Sequence, residues 1–147
     1  REINRVTIMD NTQIQIQFPS PGAWDKFTMT AVFPDKDGYT HRDNYTQDDI
    51  PADQAPAMSA VVAALVGMGE DWQASQVWAH LMTATIYGED DPYTPVGHQD
   101  EIALDVEAIN AQGGRRIFTV RDYPEFVITD PAAVAFFKHF TKTQNND

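Results

Sequence analysis

Cysteine is absent from the 147-residue chain. Disulfide bridges, thiolate metal sites and thiol nucleophiles are thereby excluded. Positive charge is scarce: ten Lys and Arg stand against 22 Asp and Glu, a formal net charge of −12. Such a chain repels nucleic-acid phosphate and anionic lipid, so neither nucleic acid nor a membrane is expected as a partner. Serine is rare, and Ser20, Ser59 and Ser75 fall in neither a GxSxG nor an SxxK pattern. His41, His80, His98 and His139 make no HxH or HExxH spacing. No Gly-rich phosphate loop exists, since Gly67-Met68-Gly69 is followed by Glu70 and Asp71, which repel phosphate. The longest apolar run is shorter than the roughly 20 residues a membrane helix needs. No catalytic, cofactor-binding or metal-binding residue is therefore assigned, no cofactor is expected, and an enzyme is the less favoured reading.

What is present is a globular composition, 42% hydrophobic with eight Phe. The length suits one domain, 1–147, with the polar tail 141–147 (TKTQNND) frayed. The chain opens REINRV, without an initiator Met or the apolar core of a signal peptide. A soluble protein of the cytoplasm or of a virion is expected.

The segment 53–69, DQAPAMSAVVAALVGMG, is the centre of the pattern. Asp53 is suited to cap a helix, and Pro56 to its first turn. Met58, Val61, Val62, Leu65 and Met68 recur at spacings of three and four and predict one bulky face. Ala57, Ala60, Ala63, Ala64 and Gly67 predict a second face almost without side chains, open to a neighbouring helix or to another copy of the chain.

Strands are predicted on either side. Residues 3–9 read as a first strand ended by the turn pair Asp10-Asn11. Gln13-Ile14-Gln15-Ile16-Gln17-Phe18 reads as a second, with one packed and one wet face. Residues 26–33 and 39–45 read as a hairpin around Pro34-Asp35-Lys36-Asp37-Gly38. That turn is no calcium loop: with Gly38 at the sixth position, Phe33 and Asn44 would hold the first and twelfth. Residues 77–87 read as strand, 88–101 as a long acidic loop, and 105–120 as a hairpin around Gly113-Gly114, with a short strand near 125–129. Asp130-Pro131 marks the start of a last helix, striped by Ala133, Val134, Phe136, Phe137 and Phe140.

The fold class predicted is α+β: a mainly antiparallel sheet of about six to eight strands packed against a central helix and a C-terminal helix, in the order ββββ–α–β–ββ–α. The only concentrated polar chemistry is the 88–101 loop, where Glu89, Asp90, Asp91, His98, Asp100 and Glu101 match no metal signature. Trp24, Trp72, Trp78 and Tyr87 are the candidate pocket or contact residues. The function expected is a non-enzymatic structural or assembly protein of virion (phage) type, partnered by itself as a homo-oligomer or by other structural proteins. The alternative is a small-molecule-binding or enzymatic domain with a pocket between central helix and sheet.

Overall fold

The alternation from Gln13 to Phe18 sets the two faces of the sheet. In the computed structural model, which describes residues 5–24, 26–50 and 55–140 without the side chains of 5–11 and 55–57, Ile14 and Ile16 are fully buried while Gln13 and Gln15 are half-buried. They lie on β1 (Arg5–Gln17). After it come β2 (Thr28–Pro34), β3 (Thr40–Thr46), α1 (Ala55–Val66), β4 (Trp72–Tyr87), β5 (Pro95–Asn110), β6 (Arg115–Phe118), β7 (Val127–Ile128) and α2 (Pro131–Phe140). The strands form one seven-stranded antiparallel sheet in the order β3-β2-β1-β4-β5-β6, with β7 also on β5. The protein is thus α+β, an antiparallel sheet with two α-helices among the described residues.

Four sequence expectations change. Residues 72–76 are strand, so β4 begins at Trp72 and not at residue 77. Asp10-Asn11 does not turn the chain: the backbone of β1 runs on as one strand, and its register against β4 shifts between Met9 and Gln13. A bulge absorbs polar residues that would otherwise signal a hairpin. Residues 95–101 are strand rather than loop, so β5 begins ten residues before the expected Asp105. The order is therefore βββ–α–ββββ–α.

One buried cluster joins Ile14, Ile16, Met29 and Phe33 to Val77, Ala79 and Leu81 of β4 and to Ile102, Leu104, Val106 and Ala108 of β5. Met58, Val61, Ala64, Leu65 and Met68 of α1 belong to it, as do all five apolar residues of the α2 stripe. The two helices touch each other. Asp130 caps α2 as its sequence implies: its Oδ2 accepts from the Ala133 backbone N–H at 3.1 Å. The Asp53 cap and the tail 141–147 lie outside the described residues. The turn between β2 and β3 closes on Asp35, whose Oδ1 accepts from the N–H groups of Asp37 and Tyr39 at 2.8 and 2.9 Å. Gly38 supplies the positive φ of 88° that this turn requires. No described helix is long and apolar enough to cross a membrane.

Phe137 is wholly enclosed. Phe137→Ala is expected to cost about 3–5 kcal/mol in urea unfolding, and Asp130→Ala about 1 kcal/mol. A loss below about 1 kcal/mol for Phe137→Ala would contradict this account of the core.

Candidate functional site: a three-stranded arm and the groove at its base

The register of β4 determines where the aromatic candidates go. Trp72 and Ala74 point to the helix side, where the Trp72 ring meets Phe118 edge-on at 5.3 Å. The pairing with β5 then shifts between Ala74 and Gln76. Val77, Ala79 and Leu81 take over the buried side. Strand alternation sends Trp78 to the opposite face, across from Asp105 on β5 and Gln15 on β1. The two tryptophans thus do not share a site. Near Trp78, His80 Nε2 lies 3.1 Å from Asp105 Oδ2. Tyr87 ends β4, opposite Pro95. Trp24 is half-buried against the core cluster, its indole N–H enclosed without a hydrogen-bond partner. None of the four lines either of the two grooves described below.

The small-residue face of α1 divides. Ala64 is buried in the cluster and Ala60 packs against it, whereas Ala63 and Gly67 are exposed; the side chain of Ala57 is outside the described set. Ala64 lies three and four residues from Val61 and Met68, so helical spacing turns it inward with them.

The acidic candidates also separate. Glu89, Asp90 and Asp91 sit in the turn, while His98, Asp100 and Glu101 lie on β5. Asp91 Oδ2 accepts from the Thr94 hydroxyl at 2.6 Å and its Oδ1 from the Tyr93 N–H at 3.0 Å, which holds its pKa below the usual carboxylate range. Asp100 Oδ2 accepts from Lys138 Nζ at 2.7 Å and its Oδ1 from Thr83 Oγ1 at 3.0 Å. The Lys138 contact lowers its pKa first and the Thr83 hydroxyl second. His98 Nδ1 is 3.3 Å from Thr85 Oγ1, and Glu101 is buried. Among the described residues no three His, Asp or Glu side chains gather as metal ligands.

What these strands build instead is an arm. Beyond Gln13 on β1 and Ile102 on β5, β1, β4 and β5 continue with no further strand beside them among the described residues, since β2 pairs β1 at Gln13–Gln17 and β6 and β7 pair β5 from Ile102 onward. The run from Met82 to Tyr87 extends about 20 Å at strand rise. At its end Tyr93 is 89% and Val96 67% exposed. At its base, Gln99 and Asp100 of β5 face Thr129, Pro131, Val134, Ala135 and Lys138 across a groove of about 430 Å³. A second groove, about 370 Å³, lies at the other end of the sheet between Phe18, Phe27 and Gln47. Sequence reasoning missed Val96, Val134 and Lys138 as a group. The signal was the alternation Ile102, Leu104, Val106, Ala108, which places the strand start well before Asp105.

No protein-family model matches the chain, and no curated protein or solved structure resembles it at a significant level.

Because the folded pKa of Asp100 lies below its ordinary 3.8, the stabilisation from its pairing is complete above that value. It is lost as pH falls through the lowered folded pKa. Lys138→Met is expected to flatten the fall in unfolding free energy between about pH 5 and 2. Identical acid limbs for the two proteins would contradict this.

Proposed function

We propose that this chain is a non-enzymatic structural or assembly protein of the virion type that associates with copies of itself. The arm is the observation that supports the reading. Among the described residues it carries open strand edges, together with two side chains, Tyr93 and Val96, that are more than half exposed. An open edge presents unpaired backbone donors and acceptors, and the exposed Tyr93 and Val96 side chains add apolar area beside the acidic turn that gains by leaving water. Neither groove lies between α1 and the sheet, where the small-molecule reading would place its pocket.

The charge sets a condition on such association. Copies carrying −12 each repel one another at long range, and salt screens that repulsion. Light scattering after size exclusion is expected to give a multiple of the 16.5 kDa chain mass. The oligomer is expected to persist to lower protein concentration as salt rises. A mass of 16.5 kDa at every concentration and ionic strength would overturn the reading.

A further inference from the structure

We draw no further inference here: the strongest candidate, the sheet face turned away from the helices, where Trp78 stands between Gln15 and Asp105, carries nothing because nothing in the structure shows what covers it.

Discussion

The pairing of β4 with β5 is the constraint on which the rest depends. It runs from Trp72 opposite Asn110 to Tyr87 opposite Pro95. In that register Val77, Ala79, Leu81, Ile102, Leu104 and Val106 share the buried face. Slipping β5 by one residue would turn Ala103, Asp105 and Glu107 inward and expel its aliphatic set. α2 touches β4 and β5, and the α2 aromatics and the α1 aliphatics enter the same cluster as this face. The ladder also carries β4 and β5 past the helix-covered region and makes the arm.

Elements whose residues sense burial were legible in sequence. The Gln–Ile alternation of β1, the Asp130-Pro131 start of α2 and its apolar stripe each state their surroundings directly, and Asp35 with Gly38 states a turn by its own chemistry. Elements fixed by partners were not. Residues 95–101 hold Pro95, Gly97 and four polar side chains, so no apolar alternation announces a strand there. Asp10-Asn11 has turn composition, yet β1 continues past it through a bulge in the ladder to β4. The opposite facing of Trp72 and Trp78 comes from a shift at one position between Ala74 and Gln76. That shift is a property of the pair of strands and not of either alone.

The acidic composition has a local logic once the strands are placed. Asp35, Asp91, Asp100, Asp105, Asp122 and Asp130 each engage a backbone N–H, hydroxyl, histidine, arginine or lysine of this chain. These carboxylates close turns, cap α2 and tie β5 to α2, and the arm edge between Pro95 and Gln99 is left without formal charge.

Native-state hydrogen–deuterium exchange at low protein concentration tests the central claim, the β4–β5 ladder, most directly. The account predicts the slowest exchange at 77–81 and 102–106, where the ladder belongs to the buried cluster, and faster exchange at 82–87 and 95–101 in the arm. Exchange as slow in the arm as at 77–81 and 102–106 would contradict it.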